Sequence, residues 1–242
     1  MIIRLSELDT MRFGIPIATA SLDAQDEILS VIKWCESKQV KMLIARCPTD
    51  EVHLIQNMEK MGFYLTDTLV YYQCQSIINN INPALDEYSW RLASAEDAES
   101  VERLAAKTFH GYFGHYHADS RLNKIDADLV YSSWASNSCK GGVFSDVVFL
   151  ICQGKKIVAF LSMKKNDSET CEIILNGVDP LYQGKGLYTF LISLAKKWAL
   201  EKKNKQILVS TQVTNIAVQK VWCRHGFEPL KSFYTLHKWF SK

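Results

Sequence analysis

The sequence predicts a mixed α/β (α+β) fold in which a mixed central sheet is flanked by helices. Segments with the apolar spacing of helices alternate with segments typical of strands, which is the order expected of such a fold. The chain has 242 residues, of which 48% are hydrophobic and 22% are charged. That length predicts one large domain or two of ordinary size, and either can bury a sizeable core without disulfides or metals.

The first half predicts a small αβ unit. Its first helix has apolar residues at Ile28, Leu29, Ile32 and Cys35, which share one helical face, and its second helix stops at Gly62, a typical C-cap. The predicted elements are a strand at 15–20, a helix at 24–38, a strand at 40–46, a helix at 50–61 and a strand at 63–73.

The second half predicts a larger domain, separated from the first by a segment with Asn and Pro and little periodicity. The boundaries are an amino-terminal domain at 1–78, a linker at 79–87 and a carboxy-terminal domain at 88–242. In that last domain the expected elements are strands at 88–92, 147–152, 156–163, 171–178, 206–213 and 232–239, and helices at 95–109, 126–136, 187–198 and 216–225.

The composition argues against nucleic-acid and membrane partners. The 28 basic and 26 acidic residues give a formal net charge of +2, which is too balanced to predict either partner. No apolar run approaches the roughly 20 residues of a membrane-spanning helix. The seven cysteines are scattered and never spaced as C-x-x-C, which favours a reducing compartment over disulfides or zinc. Because the start also lacks a signal-peptide pattern, we expect a cytoplasmic protein.

The most informative segment is VDPLYQGKGLY at residues 178–188, which follows a predicted strand and opens a helix. Glycines in such a turn let the backbone approach a ligand closely, and the first N–H groups of the helix then point at one spot. The pattern predicts a phosphate or pyrophosphate site. It fits neither the Walker A spacing nor G-x-G-x-x-G, and an ordinary strand–helix turn is the alternative.

This turn resembles the Q/R-x-x-G-x-G/A motif of the GNAT N-acetyltransferase superfamily, with Gln183 and Gly186 matching and Tyr188 at the last position. A second motif of that superfamily, N-x-x-A-x-x-x-Y-x-x-x-G-F, is matched by Asn215, Val218, Trp222, Gly226 and Phe227. The resemblance covers residues 88–242. It implies a GNAT fold, with acetyl-CoA as co-substrate and direct acetyl transfer to a primary amine of a small molecule.

The segment Arg12-Phe13-Gly14-Ile15-Pro16 and the half-size unit around it resemble the dTDP-fucosamine acetyltransferases. Those enzymes pair a partial amino-terminal GNAT-like domain with a GNAT domain and acetylate the 4-amino group of a dTDP-linked sugar. The resemblance implies a dTDP-type amino sugar as the acceptor. A homodimer is an open alternative to a monomer.

The superfamily implies which residues bind the co-substrate. The end of the strand before the turn would bind the pantetheine arm, and Gly177 suits a β-bulge there. The expected co-substrate residues are Asn176, Gly177, Val178, Gln183, Gly184, Lys185, Gly186, Leu187, Tyr188, Asn215 and Trp222.

Catalysis needs a base for the amine and a proton donor for the thiolate. Glu172 lies in the strand where many superfamily members place a carboxylate base, although a strand carboxylate that faces solvent is an equal alternative. The usual donor is a tyrosine at the position of Trp222, and an indole N–H is far too weak an acid. Tyr188, Tyr234 and His225 are the candidate replacements, with solvent as the alternative.

The segment HGYFGHYHADSR at 110–121 is predicted to be a loop that lines the acceptor site. His115, His117 and Asp119 alternate, so in an extended segment they would share one face. The spacing suits a metal, but no fourth ligand is evident, and we expect no metal and hydrogen bonding to a sugar or its phosphates. His117 is also a candidate base. Arg121 is expected to grip a diphosphate and Tyr116 to stack on a sugar or base, whereas His237 is expected to be a core residue.

Two alternative functions remain. One is the same chemistry on another amine, such as an antibiotic, a polyamine or a peptide terminus. The other is a regulatory module that binds CoA without catalysis, which Trp222 favours because it replaces the usual tyrosine.

Overall fold

The structure, a computed structural model, describes residues 2–23, 28–75 and 87–240. The first half consists of β1 (Ile2–Leu5), α1 (Glu7–Phe13), β2 (Ile17–Ser21), α2 (Ile28–Ser37), β3 (Met42–Pro48), α3 (Val52–Lys60) and β4 (Tyr64–Gln75). The second half consists of β5 (Ser89–Leu92), α4 (Ala98–Thr108), α5 (His115–Ala118), α6 (Lys124–Ser138), β6 (Val147–Gln153), β7 (Lys156–Lys165), β8 (Thr170–Val178), α7 (Leu187–Glu201), β9 (Gln206–Gln212), α8 (Ile216–Arg224) and β10 (Glu228–Trp239). The predicted mixed α/β fold is confirmed.

All ten strands of the described residues form one sheet, in the order β1-β2-β3-β10-β4-β9-β8-β7-β6-β5. The pairs β2–β3 and β8–β9 are parallel, and the other pairs are antiparallel. The last strand of the chain, β10, lies between β3 and β4 of the first half. The predicted division at 79–87 stays a prediction, because that linker lies outside the described residues except for Glu87.

Helices cover both faces of the second half's sheet. Leu191 and Ala195 of α7 share one buried cluster with Trp222 of α8. On the other face, Leu104 of α4 and Ala135 of α6 belong to a second cluster. A third cluster lies in the first half, between β2, β3, α2 and α3. The sheet is therefore held from both sides, and its strand ends are fixed in space.

The sequence did not predict β1 and α1, which are too short to show a period. The start of α1 is fixed by Ser6, whose Oγ donates to Asp9 at 2.6 Å, and its end by Gly14 in the left-handed region. The segment predicted as a loop at 110–121 contains the short helix α5. Within the described residues, no helix is long and apolar enough to cross a membrane.

Candidate active site

Two neighbouring parallel strands, β8 and β9, pair at their starts and separate toward their ends. Residues 170–173 pair with residues 206–209, whereas β8 continues to Val178 and β9 to Gln212. Beyond Ile173, the facing edges therefore carry N–H and C=O groups without a partner strand between them. Because buried backbone groups need hydrogen bonds, this split is suited to an extended ligand with amide groups.

A β-bulge in β8 marks where the split begins. Opposite β7, Ile173 pairs with Met163 and Leu175 pairs with Ser162, so Ile174 is the extra residue. The Ser162 hydroxyl holds the bulge, since it donates to the Leu175 carbonyl and accepts from the Leu175 N–H, both at 3.1 Å. The predicted bulge at Gly177 is wrong, because Gly177 pairs in regular register with Phe160.

Gly177 has a different role, which is to allow close packing under the strand. A Cβ at this position would lie 2.7 Å from Thr108 Cγ2 and 2.9 Å from Phe160 Cε1. Only a residue without a side chain fits between β8 and α4 at this distance.

The predicted phosphate turn connects β8 to α7. Gly184 and Gly186 have φ angles of +76° and +79°, in the left-handed region that favours glycine, and Gly186 is the N-cap of α7. The first N–H groups of a helix have no partner within it, and the helix dipole adds positive potential there. At 15 residues, α7 is long enough for this effect, and its amino terminus is suited to an anion.

Two lysines lie beside this turn. The Nζ atoms of Lys156 and Lys185 are 4.6 Å and 5.0 Å from the centre of the Tyr182 ring. Lys156 also pairs with Asp179 at 3.3 Å. The sequence indicated Lys185 but not Lys156, which is 29 residues from Lys185 and is brought here by β7.

From the split, a cleft of about 360 Å³ runs to helix α1 of the first half. That volume is within the usual range of small-molecule sites. Its lining combines the split strands, aromatic side chains and four charged side chains of the first half, Asp9, Arg12, Arg46 and Asp67. The residues that matter below are Asp9, Arg12, Arg46, Asp67, Tyr112, His115, Tyr116, Tyr131, Trp134, Ile174, Leu175, Asn176, Thr211, Gln212, Asn215 and Trp222.

Trp222 closes one wall of the cleft. Its ring is only 1% exposed, and its Nε1 donates to the Tyr188 hydroxyl at 2.6 Å. Burial raises the pKa of Tyr188 well above its ordinary value, although the hydrogen bond from Trp222 opposes this. Asn215 also lines the cleft and donates to Thr211 Oγ1 at 3.1 Å. Tyr188 lies behind Trp222 rather than on the cleft wall.

Besides Tyr188, the other three residues predicted to be catalytic also lie outside the cleft lining. Glu172 lies in the paired part of β8 and accepts from Asn166 at 3.2 Å. Tyr234 packs against the apolar cluster of the first half. The ring of His117 contacts Asp128 through Nε2 at 2.9 Å, and its Nδ1 accepts the Gly114 N–H at 3.1 Å. The geometry gives these three no direct access to a bound substrate.

The predicted shared face of His115, His117 and Asp119 fails because residues 115–118 are helical, and helical residues two apart point in different directions. His115 and Tyr116 line the cleft, whereas Asp119 is 2% exposed and lies behind them. In the part of the chain that the structure describes, no three His, Cys, Asp or Glu side chains are grouped to hold a metal.

The remaining predicted substrate residue, Arg121, also lies behind the cleft. Its guanidinium stacks on the rings of Tyr64 and Trp239, at 5.3 Å and 5.1 Å. The backbone N–H of Arg121 donates to Asp119 at 3.1 Å. Arg121 packs around Asp119, and the arginines that line the cleft are Arg12 and Arg46.

Residues 101–227 match the profile of the acetyltransferase (GNAT) family, which is more than half of the chain. The chain belongs to the GNAT acetyltransferase family. The match spans α4 to α8 and so includes the split strands, the phosphate turn and Trp222.

Individual proteins show weaker similarity. The spore coat polysaccharide biosynthesis protein SpsD of Bacillus subtilis is 24% identical over 146 residues, which are 60% of this chain and 49% of SpsD. The chain thus matches about half the length of that relative. A tandem GNAT protein from the clavulanic acid biosynthesis pathway has a similar fold, with a TM-score of 0.65 and 12% identity over 95% of this chain and 77% of the other. A GCN5-related N-acetyltransferase from Kribbella flavida also has a similar fold, with a TM-score of 0.62 and 13% identity over 92% of this chain and 81% of the other.

Sequence reasoning missed the charged residues that the first half contributes to this GNAT cleft. Arg12 donates to Ser133 on α6 at 2.5 Å and pairs with Asp9 at 3.5 Å. Arg46 is exposed on β3, and within the described residues its guanidinium has no ion-pair partner. The sequence offered one indication, the segment that begins at Arg12. That segment indicated a family resemblance and not a charged residue in the cleft.

Asp67 was also missed, and Tyr112 was predicted only as part of the loop that lines the acceptor site. Asp67 accepts from Gln212 Nε2 at 3.1 Å and from the Thr68 N–H at 2.7 Å, and burial raises its pKa. Burial likewise raises the pKa of Tyr112, while hydrogen bonding to Thr211 opposes this. Both lie next to the end of β9, but Asp67 is far in sequence from every predicted motif, so no local pattern marks it.

Proposed function

We propose that this GNAT protein transfers the acetyl group of acetyl-CoA directly to a primary amine on a phosphate-bearing amino sugar, of the dTDP-linked type. The observation that carries the proposal is the split between β8 and β9, which has the amino terminus of α7 at one end and a charged, aromatic cleft at the other. One end suits the donor and the other suits the acceptor.

The donor end matches the chemistry of acetyl-CoA. The pantetheine arm carries amides, which can hydrogen-bond to the free strand edges around Asn176 and Thr211. Its pyrophosphate is suited to the N–H groups that open α7, with Lys185 and Lys156 as nearby cations. The residues present therefore fit the co-substrate that this family generally uses.

The acceptor end suits a sugar that carries phosphates. Tyr112, Tyr131 and Trp134 offer aromatic faces for a sugar or base. Arg12 and Arg46 offer guanidinium groups, which bind phosphate in a bidentate manner. The similarity to SpsD, a protein named for polysaccharide biosynthesis, supports a sugar as the acceptor.

For the departing thiolate we propose Tyr112 as the proton donor. Trp222 stands where a tyrosine is usual, and the Tyr188 hydroxyl lies behind it. Tyr112 is a phenol on the cleft wall beside Thr211, at the end of β9. Since the seven cysteines are all free thiols, we further propose that the protein acts in the reducing cytoplasm.

The test is thiol release from acetyl-CoA with a panel of amines. The panel contains dTDP- and UDP-linked amino sugars, unphosphorylated amino sugars, an aminoglycoside, a polyamine and a peptide with a free amino terminus. Selective turnover of a nucleotide-linked amino sugar supports the proposal. Turnover of another class refutes the acceptor, and CoA binding by calorimetry without any turnover favours the non-catalytic alternative.

Matched variants localise the donor site. Lys185→Glu reverses a charge beside the turn, and we expect it to raise the KM for acetyl-CoA about tenfold, since a charged hydrogen bond contributes roughly 1.5 kcal/mol. Lys33→Glu makes the same change on the exposed face of α2 and is expected to have no effect. Equal effects of both variants contradict the placement of the pyrophosphate.

A further inference from the structure

A buried chain of three side chains leads away from the acceptor cleft. His115 lines the cleft, and its Nδ1 lies 3.0 Å from Nε2 of His237. Nδ1 of His237 lies 2.8 Å from Oδ2 of Asp119. His237 is fully buried, and Asp119 is 2% exposed. These residues come from α5, β10 and the end of α5, so the fold rather than the sequence assembles them.

Asp119 anchors the chain as an ionised carboxylate. Burial opposes its charge, but hydrogen bonds from His237, Tyr64 and Trp239 together hold the pKa of Asp119 well below its ordinary value. The Arg121 N–H donates to the other oxygen at 3.1 Å. An ionised carboxylate only accepts hydrogen bonds, so Nδ1 of His237 must be the donor.

This direction fixes the tautomer of the next ring. When His237 is neutral with its proton on Nδ1, its Nε2 is an acceptor, and His115 must donate from Nδ1. The other ring nitrogen of His115, Nε2, is then unprotonated. The chain therefore presents a basic nitrogen on a residue that lines the acceptor cleft.

We propose that His115 is the base that deprotonates the acceptor ammonium, and that His237 and Asp119 are positioning residues that receive the charge. This rests on the proposed acetyl transfer. The acceptor gives one proton to His115 Nε2, and the His115 Nδ1 proton passes to His237 Nε2, so the positive charge rests beside Asp119. The freed amine forms the C–N bond as the C–S bond breaks. As Tyr112 protonates the departing thiolate, its phenolate takes the second proton of the amine, and the proton on the histidine pair returns through His115 to water.

The relay answers a difficulty with His115 alone. Burial, and then the charges of His237 and Arg46, hold the pKa of His115 well below its ordinary value. A base of this kind is unprotonated at neutral pH but keeps a proton poorly. Passing the charge to His237, next to a carboxylate, removes that penalty. The charged and titratable groups around His115 are His237 on β10, Arg46 on β3, and Tyr116, His117 and Asp119 on and beside α5. Asp67 and Tyr131 line the same cleft.

The first test is kinetic. We expect His115→Gln to lower kcat by about 100-fold or more, the usual contribution of a general base, with the KM for acetyl-CoA unchanged. His53→Gln is the control, because this histidine is exposed on α3 and does not line the cleft. A kcat of His115→Gln within threefold of that control overturns the proposal.

The positioning roles have their own readout. The base must be unprotonated, so activity falls as the pH drops through the pKa of His115. Asp119→Asn removes the charge that favours protonation, so the acid limb of kcat/KM moves to lower pH and the plateau falls. His237→Gln keeps an acceptor for His115 and a donor for Asp119 but cannot hold the proton. A lower plateau with an unmoved acid limb in both variants means a structural role only, and overturns the relay.

Nitrogen NMR of the parent protein, labelled with ¹⁵N-histidine, needs no acceptor and no variant that folds poorly. The chain has six histidines, which single substitutions assign. At neutral pH we expect His115 and His237 to be protonated at Nδ1 and bare at Nε2. A proton on His115 Nε2 overturns the proposal. If no amine is acetylated, the proposed function fails, while the tautomers still decide whether the chain exists as described.

Discussion

Replacing Gly177 with alanine tests the close packing beneath the split strand. The added Cβ would lie 2.7 Å from Thr108 Cγ2, 3.3 Å from Thr108 Cβ and 2.9 Å from Phe160 Cε1. Phe160 is fully buried, and the Thr108 hydroxyl donates to the Leu104 carbonyl at 2.9 Å, so neither neighbour is free to move. Overpacking of this kind costs about 1–3 kcal/mol.

The cost is measurable by urea unfolding and by melting. For a chain of this size we expect Tm to fall by about 2–4 °C for each kcal/mol. The strand edge at Asn176 and Val178 shifts with Gly177, so the KM for acetyl-CoA is expected to rise as well. The variant Gly154→Ala is not a suitable control, since Gly154 has a positive φ and would be strained for another reason.

The matched control is a second substitution that removes one of the clashing atoms. Thr108→Ser deletes Cγ2 and keeps the hydroxyl that bonds Leu104. In the Gly177→Ala background it should recover part of the lost stability, with a coupling of about 0.5–3 kcal/mol, because the two sites are in contact. Additive losses, or a Gly177→Ala variant within about 0.5 kcal/mol of the parent, refute the reasoning.

Two further predictions concern single charged groups. Arg46→Gln should raise the KM for a phosphate-bearing acceptor about tenfold or more, because a charged hydrogen bond contributes roughly 1.5–3 kcal/mol. The KM for unphosphorylated acceptors should not change, and Arg103→Gln on α4 is the control. An equal rise in KM for both acceptor types contradicts a phosphate-binding role of Arg46. Hydrogen bonds from Arg91 lower the pKa of Asp97 to about 2, so its stabilisation is present above pH 4 or so and is lost as the pH falls through about 2. Arg91 is half exposed, so solvent screens the pair and we expect Asp97→Asn to lower the free energy of unfolding by only about 1 kcal/mol at pH 5. Near pH 2 the variant and the parent should unfold at the same urea concentration. A difference that stays constant with pH contradicts the role of this ion pair.

The geometry of the turn before α7 was largely predictable because its signals are local. Residues 178–188 run consecutively from strand to turn to helix, and Gly184 and Gly186 adopt the backbone angles that made glycine informative. The shape of this turn therefore depends only on the backbone of one short segment. The bulge was predicted at the wrong residue because its position depends on pairing with another strand. Here the hydrogen bonds between Ser162 on β7 and Leu175 fix the bulge at Ile174.

The acceptor side was not predictable, because its contacts join distant parts of the chain. His237 meets Asp119 across 118 positions and His115 across 122. Alternation along residues 115–119 indicated an extended face, but a Gly114 cap made by His117 opens a helical turn instead. His237 was expected to be a core residue, and it is fully buried; its partners, rather than its burial, indicate a function.

The same long-range contacts bear on what the first half does. Asp119 receives hydrogen bonds from Tyr64 on β4 and from Trp239 on β10, and β10 lies between two strands of the first half. On the opposite wall, Asp9 of α1 accepts from Tyr116 at 3.0 Å. The amino-terminal half therefore shapes the cleft directly. It fixes the segment that carries His115 from two sides, so a protein reduced to the region of the GNAT match would lack the groups that hold its proposed base.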